Sequence, residues 1–156
     1  MADMQCEVPA FNPGDSEIKN ILLNNKIIAV VGLSDDPAKD SNRVARYLIN
    51  HGYTVVPVNP TKDTILGLKS YPDLKSIPFP VDIVDIFRKP ADVPPIVDDA
   101  IAIGAKVVWM QLGIAHNEAA KKANNAGLKV VQGKCIKVEH SRYFGNSGQT
   151  VQFNIS

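Results

Sequence analysis

Short apolar runs without polar alternation recur along the chain, and each pair is separated by enough residues for one helix. Such runs are typical of strands that are buried on both faces of a parallel sheet. They predict five strands, at residues 27–31, 53–58, 81–86, 106–110 and 128–131. The first run, IIAVV, is predicted to be the central strand.

Between these runs, apolar residues recur at spacings of three and four, which predicts helices. The predicted helices begin near Asp15, Ser41, Asp92 and Asn117. We assign Asp15 and Ser41 as N-caps, because a short side-chain oxygen can accept a hydrogen bond from the first helical turn. Residues 61–80 are a connection divided by prolines, and the chain after Cys135 carries no clear pattern.

Strands alternate with helices through short connections, so the crossovers are expected to be right-handed and the sheet parallel. We therefore predict a single doubly wound α/β domain over residues 15–142, with helices on both faces. Residues 1–14 are a predicted lead-in, and residues 143–156 are a predicted tail. In the expected strand order 2-1-3-4-5, ligands bind beyond the carboxyl ends of the strands, where the order reverses.

Composition narrows the classes of partner. The 156 residues carry a net charge of +1, so no overall field would attract nucleic acid or an anionic membrane. No apolar run approaches the ~18 residues of a membrane span. The opening residues, MADMQCEVPAF, lack the pattern of a secretory signal, so we expect a cytoplasmic protein with Cys6 and Cys135 as thiols.

The stretch after the first strand, GLSDDPAKDSNR, combines a glycine, hydroxyls and a helix start. Gly32, Ser34 and the free N–H groups near Ser41 would form a cradle for phosphate, with Lys39 and Arg43 supplying positive charge. A glycine turn followed by a capped helix, without any ligand, explains the same residues. The three glycines of a dinucleotide fingerprint are not present here.

The ends of the other strands add binding groups but no acidic ribose reader. In NAD proteins that carboxylate follows the second strand, about 20 residues after the glycine loop. Here the position holds Val58-Asn59-Pro60, which disfavours NAD. Phe87-Arg88 follows the third strand and would suit a planar group beside a phosphate, unless Phe87 belongs to the core and Arg88 to the solvent. Gln111 and Gly113 follow the fourth strand.

Catalytic groups are not evident. No metal or nucleophile motif occurs, and the three histidines, His51, His116 and His140, have no sequence relation to a nucleophile. Trp109 is interpreted as a packing residue. Cys135 follows the fifth strand by a few residues and would either meet a ligand's sulfur atom or be an inert buried thiol.

Together these loops are more specific than any one of them. The segments VVGLSDDPAKDSNR, VVPVNP, VDIVDIFRKP, KVVWMQLGI and AGLKVVQGKC closely resemble the small stand-alone CoA-binding proteins, which are similar to the CoA-binding domain of the succinyl-CoA synthetase α subunit. The resemblance covers about residues 15–142 and implies a Rossmann-like fold. It also implies coenzyme A or an acyl-CoA as the ligand.

The resemblance implies that the diphosphate lies at the Gly32 loop and the nucleotide beside the second and third strand ends. The pantetheine arm would then run toward Gln111–Gly113. The residues predicted to bind CoA are Gly32, Leu33, Ser34, Lys39, Ser41, Asn42, Arg43, Val58, Asn59, Pro60, Phe87, Arg88, Gln111 and Gly113. Candidates for contact with the 3′-phosphate of CoA are Lys39, Lys62, Arg88 and Lys89.

One departure bears on activity. In the synthetase a second domain supplies a phosphohistidine, and this chain ends before such a domain would begin, so ligase activity is not expected. The main hypothesis is a CoA-binding module without catalysis. The alternatives are a subunit of an NDP-forming acyl-CoA synthetase that needs a partner chain, and an NAD-dependent oxidoreductase. The acyl group, the physiological role and the choice between a partner protein and a homo-oligomer are left open.

Overall fold

The computed structural model describes residues 7–145, and its strands fall where the apolar runs predict them. The strands are β1 Ile27–Val31, β2 Thr54–Val58, β3 Thr64–Ile65, β4 Leu68–Lys69, β5 Ile83–Ile86, β6 Val107–Met110 and β7 Lys129–Val131. The short β3–β4 hairpin lies within the proline-divided connection. Residues 1–6 of the predicted lead-in and residues 146–156 of the predicted tail lie outside the described residues.

Helices occupy the segments between the strands. They are α1 Asp15–Asn24, α2 Asp40–Asn50, α3 Val93–Ala102, α4 Asn117–Asn125 and α5 Ile136–His140. Two 3₁₀ turns, Leu74–Ser76 and Pro90–Asp92, and a π-helical turn, Ser141–Gly145, complete the described elements. Within residues 7–145, no helix is long and apolar enough to cross a membrane.

The main sheet has the order β2-β1-β5-β6-β7, and all four of its strand pairs are parallel. This confirms the predicted doubly wound, Rossmann-like α/β fold and its strand order. The strand in the middle of the sheet is β5, whereas β1 lies between β2 and β5. The order therefore reverses between β1 and β5, and the carboxyl ends of these two strands flank the predicted ligand site.

Each face of the sheet has its own hydrophobic core, because alternate strand residues point to opposite faces. On one face, α3 and α4 bury Val97 and Ala120 against Val84 and Val108. On the other, α1, α2 and α5 cover side chains that include Ile28 and Trp109. The strands consequently read as continuous apolar runs, since both faces are covered.

The two predicted N-caps are corrected by the structure. The N-cap of α1 is Gly14, which has no side chain, and the N-cap of α2 is Lys39, whose side chain makes no capping hydrogen bond. Asp15 is instead the first residue of α1, where its carboxylate is favoured by the helix dipole. Ser41 lies in the first turn of α2, and its hydroxyl bonds a neighbouring loop, because that loop folds back over the helix start.

The segment after Cys135 packs on the face that also carries α1 and α2. Tyr143 and Phe144, which the sequence assigns to the tail, pack against that core. The Tyr47 hydroxyl on α2 lies 2.8 Å from His140 Nδ1, which joins α5 to α2. Burial, reinforced by the neighbouring His51 and Lys26, lowers the pKa of His140 to about 4. His140 is therefore a neutral packing residue at pH 7.

A carboxyl group also lies inside this core. Asp85 is fully buried on β5, and its register partners are Val30 on β1 and Trp109 on β6. Among residues 7–145, neither carboxyl oxygen has a hydrogen-bond partner. Burial therefore raises the pKa of Asp85 well above its ordinary value of 3.8. A buried polar group without a partner costs free energy, so Asp85 is a destabilising feature of the core.

Replacing Asp85 with Leu should increase the free energy of unfolding at pH 7 by about 1–3 kcal/mol. The substitution removes an unpaired buried carboxyl group and puts an apolar side chain of similar size in its place. In the wild type, the folded state binds the Asp85 proton more tightly than the unfolded state does. This contribution to stability is complete below about pH 4 and is lost as the pH rises toward the raised folded pKa. Urea unfolding at a series of pH values measures both effects.

The matched control is Asp85→Asn, which keeps the shape and polarity but cannot titrate. The difference in unfolding free energy between the wild type and Asp85→Asn should change with pH above about pH 4. A constant difference across pH 4–9 would contradict the assignment of a raised pKa to Asp85.

Candidate functional site

The carboxyl ends of β1, β2 and β5 are tied together by main-chain hydrogen bonds. Gly32 N donates to the Val58 carbonyl at 3.0 Å, and Phe87 N donates to the Val31 carbonyl at 2.9 Å. The Gly32 loop therefore lies between the ends of its two neighbouring strands. This brings the predicted residues at 32–34, 58–60 and 87–88 to one edge of the sheet.

Packing within the protein alone requires a glycine at position 32. Its φ is 87°, a conformation that glycine adopts readily. A Cβ atom at this position would lie 2.5 Å from the Phe87 carbonyl oxygen and 2.9 Å from Arg88 Cδ. The absence of a side chain therefore allows the β1 and β5 loops to cross at backbone contact distance.

The loop from Gly32 to the start of α2 is closed by polar contacts. Ser34 N donates to Ser41 Oγ at 3.0 Å, and Asn42 Nδ2 donates to the Ser34 carbonyl at 2.8 Å. Asn42 is 1% exposed and also accepts a hydrogen bond from Arg46 Nε. Ser41 and Asn42 thus shape the loop, and the Leu33 side chain is fully buried.

The end of β2 carries no carboxylate that could bind a ribose, and its Asn59 side chain has a structural role. Asn59 Nδ2 donates to the Leu33 carbonyl at 3.0 Å, and Asn59 Oδ1 accepts from the backbone and hydroxyl of Thr61. Val58 is buried, whereas Pro60 is exposed at the edge. The Asn59 side chain therefore holds the Gly32 loop against β2.

Two cavities open on opposite sides of the crossing of the β1 and β5 loops. The smaller, which we call the Gly32 cavity, has a volume of about 150 Å³. Its lining includes Gly32, Val58, Pro60, Asp73 and Arg88. The larger, the Phe87 cavity, has a volume of about 330 Å³. It is lined by Asp40, Arg43, Val44, Phe87, Gln111, Leu112, Ile114, Cys135, Lys137 and Val138.

Phe87 and Arg88 do not act as a pair at one mouth, as the sequence suggested. Phe87 packs against the core beneath α2 and lines the Phe87 cavity, whereas Arg88 lines the Gly32 cavity. Consecutive residues of an extended chain point to opposite faces, which separates the aromatic ring from the cation. Phe87 thus packs against the core and also lines a cavity, whereas its contact with a ligand stays a prediction.

The cations at this edge are exposed and mostly paired with nearby carboxylates. Arg88 Nη2 lies 3.2 Å from Asp92 Oδ2, and Lys62 Nζ lies 3.1 Å from Asp35 Oδ2. Arg43 pairs with Asp40 and also donates to the Ala38 carbonyl. Lys39 and Lys89 have no ion pair among residues 7–145. Exposed pairs contribute little stability, so these side chains can exchange a carboxylate for a phosphate at small cost.

On the β6 side, Gln111 and Gly113 have different positions. Gln111 is 3% exposed and lines the Phe87 cavity, and its Oε1 accepts a hydrogen bond from Ile136 N at 3.1 Å. Gly113 is exposed, and a Cβ there would meet open space. Trp109 is fully buried and donates from Nε1 to the Lys134 carbonyl, which fits its interpretation as a packing residue.

Sequence reasoning missed part of the lining. Lys137 and Val138 of α5 line the Phe87 cavity, and residues 72–74 line the Gly32 cavity. The five-residue α5 is too short for a clear apolar period, and residues 72–74 lie in a connection without regular pattern. The exposed apolar Val138 is the one signal in α5 that could have indicated a binding surface.

The histidines lie outside both cavities. His51 and His140 belong to the aromatic cluster between α2 and α5. His116 precedes α4, and its Nδ1 accepts a hydrogen bond from Ala119 N, which makes it an N-cap. In the part of the chain from 7 to 145, no three His, Cys, Asp or Glu side chains are grouped to hold a metal ion.

A larger cavity lies elsewhere in the molecule. It has a volume of about 680 Å³ and is lined by α1 and by the loops that precede β6 and β7. It therefore lies at the amino ends of these strands. Ligands of open parallel sheets bind at the carboxyl ends, so size alone does not make this cavity the candidate site.

Comparison with protein families identifies the region that builds this site. A family model described as "CoA binding domain" matches residues 26–141. This range includes all five strands of the main sheet and every residue of the Gly32 and Phe87 cavities.

Relatives of two sizes match the chain. The uncharacterized protein YneT of Bacillus subtilis is 42% identical over 130 residues, which are 83% of this chain and 96% of YneT. An ADP-forming acetate–CoA ligase of Archaeoglobus fulgidus is 30% identical over 121 residues, which are 71% of this chain and 18% of the ligase. The chain thus spans nearly all of the small relative and a minor part of the ligase.

A solved structure matches the whole fold. A hypothetical protein from Pyrococcus horikoshii superimposes with a TM-score of 0.83 at 44% sequence identity. The match covers 87% of this chain and 96% of that protein.

Gly32→Ala should reduce the free energy of unfolding by more than about 1 kcal/mol, because it combines an unfavourable positive φ with a clash against the Phe87 carbonyl. Gly113→Ala is the matched control, since Gly113 has a φ of 81° and open space around its Cβ position. Urea unfolding of both variants separates the clash from the backbone cost. Equal losses in the two variants would contradict the role assigned to the crossing.

Proposed function

The chain belongs to the CoA binding domain family, and from this membership we propose that it binds coenzyme A or an acyl-CoA along the carboxyl edge of its sheet. The observation that carries the proposal is the pair of cavities on either side of the Gly32 loop. CoA is a long molecule with a nucleotide at one end and a thin pantetheine arm at the other. Two cavities on either side of the Gly32 loop, where the diphosphate would lie, suit that shape.

The nucleotide end is assigned to the Gly32 cavity. Val58 and Pro60 offer an apolar wall, and Arg88 offers a guanidinium group at the same cavity. Neutral Asn59 stands where a NAD protein carries a carboxylate, which suits a ribose whose 3′-hydroxyl is phosphorylated. We assign the 3′-phosphate to Arg88, because a planar guanidinium binds phosphate with two parallel hydrogen bonds.

The diphosphate is assigned to the Gly32-Leu33-Ser34 loop and the start of α2. The Ser34 and Asn42 contacts fix this loop before any ligand arrives, which lowers the entropy cost of binding. Lys39 and Arg43 lie at the start of the helix and supply positive charge. The positive end of the α2 dipole adds to this attraction.

The pantetheine arm is assigned to the Phe87 cavity, with Gln111 on its wall and Gly113 beyond it. Phe87 and Val44 offer apolar contact, and Gln111 offers an amide. A cavity of about 330 Å³ falls within the usual range for small-ligand sites. This assignment moves Phe87 from the nucleotide to the pantetheine side.

The proposed activity is binding without a chemical step, in the cytoplasm, with no nucleic acid or membrane as partner. A second candidate follows from the ligase relative, since one of its regions corresponds to this chain. In that case the chain would serve an acyl-CoA synthetase whose other domains come from a partner protein. Purification from native extract separates the two, because a stoichiometric partner chain would support the second candidate.

Isothermal titration calorimetry should show CoA binding with a Kd below about 1 mM, and weaker binding of NAD and ATP. The expected preference follows from the neutral Asn59, which offers no carboxylate to the NAD ribose, and from the Phe87 cavity, which ATP would leave empty. No heat with CoA or acetyl-CoA at millimolar concentration would overturn the proposed function. Tighter binding of NAD than of CoA would favour an oxidoreductase.

Arg88→Ala should weaken CoA about fivefold and leave dephospho-CoA nearly unchanged, because a partly exposed cation contributes about 1 kcal/mol. The measurement is the ratio of the two Kd values in the variant and the wild type. Lys89→Ala, which removes the same charge from the adjacent position, is the matched control. It should leave both Kd values nearly unchanged, because Lys89 does not line the Gly32 cavity although the sequence made it a candidate. An equal loss for both ligands in Arg88→Ala would move Arg88 to the diphosphate instead.

A further inference from the structure

We propose that Cys135 is a covalent attachment site for CoA, through thiol–disulfide exchange with a CoA disulfide held in the Phe87 cavity. The inference rests on the proposed function, because reversible binding of the pantetheine arm must bring the reacting sulfur to Cys135. It adds a modification site to what would otherwise be a purely reversible binding protein.

The first observation is the position of Cys135. It is half-buried, carries a free thiol and lines the Phe87 cavity together with Phe87 and Gln111. The residues on either side of it are fixed by β6 and the loop that follows it. Trp109 Nε1 donates to the Lys134 carbonyl at 2.8 Å, and Ile136 N donates to Gln111 Oε1. The thiol is therefore held at the cavity wall and does not sit on a loose loop.

The second, independent observation is an unused donor in the same cavity. Gln111 is 97% buried, and its Oε1 is occupied by Ile136 N. Its Nε2 has no hydrogen-bond partner among residues 7–145, and the side chain lines the cavity. This nitrogen is not among the buried unpartnered atoms of the described residues, so it opens on the cavity, where it can donate to an acceptor from outside the protein. The pantetheine arm carries two amide carbonyls that can supply one.

The cavity also fits the chemistry of that arm. Its wall offers apolar contact from Val44 and Phe87, and its rim carries Leu112 and Val138, which are 74% and 56% exposed. Apolar side chains at such exposure beside a cavity are typical of a surface that a ligand covers. The pantetheine arm is largely apolar between its amides. Its apolar parts can therefore pack on Val44 and Phe87 while one of its amides contacts Gln111.

The reaction is balanced by the ligand itself. The Cys135 thiol loses its proton to water or buffer, and the thiolate attacks one sulfur of the CoA disulfide. The sulfur–sulfur bond of the CoA disulfide breaks as the Cys135–CoA bond forms, and one CoA leaves as a thiolate that takes up a proton. The CoA disulfide is the oxidant, and excess thiol reverses the step.

Intact-protein mass spectrometry after incubation with CoA disulfide tests the proposal. One adduct is expected, with the mass of CoA less two hydrogen atoms, and a reducing thiol should remove it. Cys135→Ser should lose the adduct, and Cys6→Ser should keep it as the matched control. The reaction should be at least about tenfold faster than with glutathione disulfide, since binding supplies the effective concentration.

Three results would overturn the inference. They are an adduct that persists in Cys135→Ser, a glutathione adduct that forms equally fast, and no adduct in a protein that binds CoA reversibly. The last result leaves the proposed function intact, because calorimetry with Cys135→Ser measures reversible binding without the thiol. If neither the wild type nor Cys135→Ser binds CoA, the proposed function itself fails.

The Gln111→Glu variant tests the role of the Gln111 amide separately. Glutamate keeps an oxygen for Ile136 N but replaces the free donor with an acceptor. Adduct formation with CoA disulfide should slow about two- to tenfold, the range expected for one lost hydrogen bond. The rate with glutathione disulfide should fall by a smaller factor, because the effect of the new carboxylate on the thiol is common to both disulfides. An unchanged rate with CoA disulfide would exclude Gln111 as a pantetheine contact.

Discussion

The close crossing of the β1 and β5 loops is the constraint on which the carboxyl edge of the sheet depends. The Phe87 carbonyl occupies the space where a side chain of residue 32 would stand. With the two backbones in contact, the groups on either side cannot share one space, and the edge divides into two cavities. The binding groups therefore stand in a row, which suits a long ligand better than a compact one. Gly32 contributes to this arrangement through packing within the protein.

Helix α2 connects the core to this edge. Its buried residues, Val44 and Leu48 among them, pack on the sheet, so the position of its first turn is set by the core. That first turn in turn fixes the Gly32 loop through Ser41 and Asn42. The geometry of the Gly32 loop is thus maintained by the burial of apolar α2 side chains in the core. Asp85, which has no partner in the described residues and lies on the face that α2 covers, lowers the free energy of unfolding, because a buried polar group without a partner is unfavourable.

Much of the fold could be predicted from the sequence because the strands are buried on both faces and the helices carry a clear period. The strand order followed from short right-handed crossovers. What could not be predicted depends on tertiary contacts. The predicted cap of α1 was wrong because the helix already includes Asp15, and that of α2 because Ser41 bonds a loop that folds back. The separation of Phe87 from Arg88 required knowing which side of the sheet each residue after β5 faces. The cost of Asp85 is invisible in the sequence, since it depends on the absence of a partner across the sheet.

The wall of the Phe87 cavity shows why a packing residue and a binding residue need not be alternatives. An isolated helix as short as α5 is not stable in water, so its place is set by the residues it meets. Two of these, Trp109 in β6 and Gln111 directly after it, hold the backbone on either side of Cys135. Trp109 does so from the core, whereas Gln111 does so with one end of its amide and leaves the other end facing the cavity. The end of β6 and the residue after it thus position the thiol and offer the free donor, so these features of the cavity become visible only when β6, its loop and α5 are considered together.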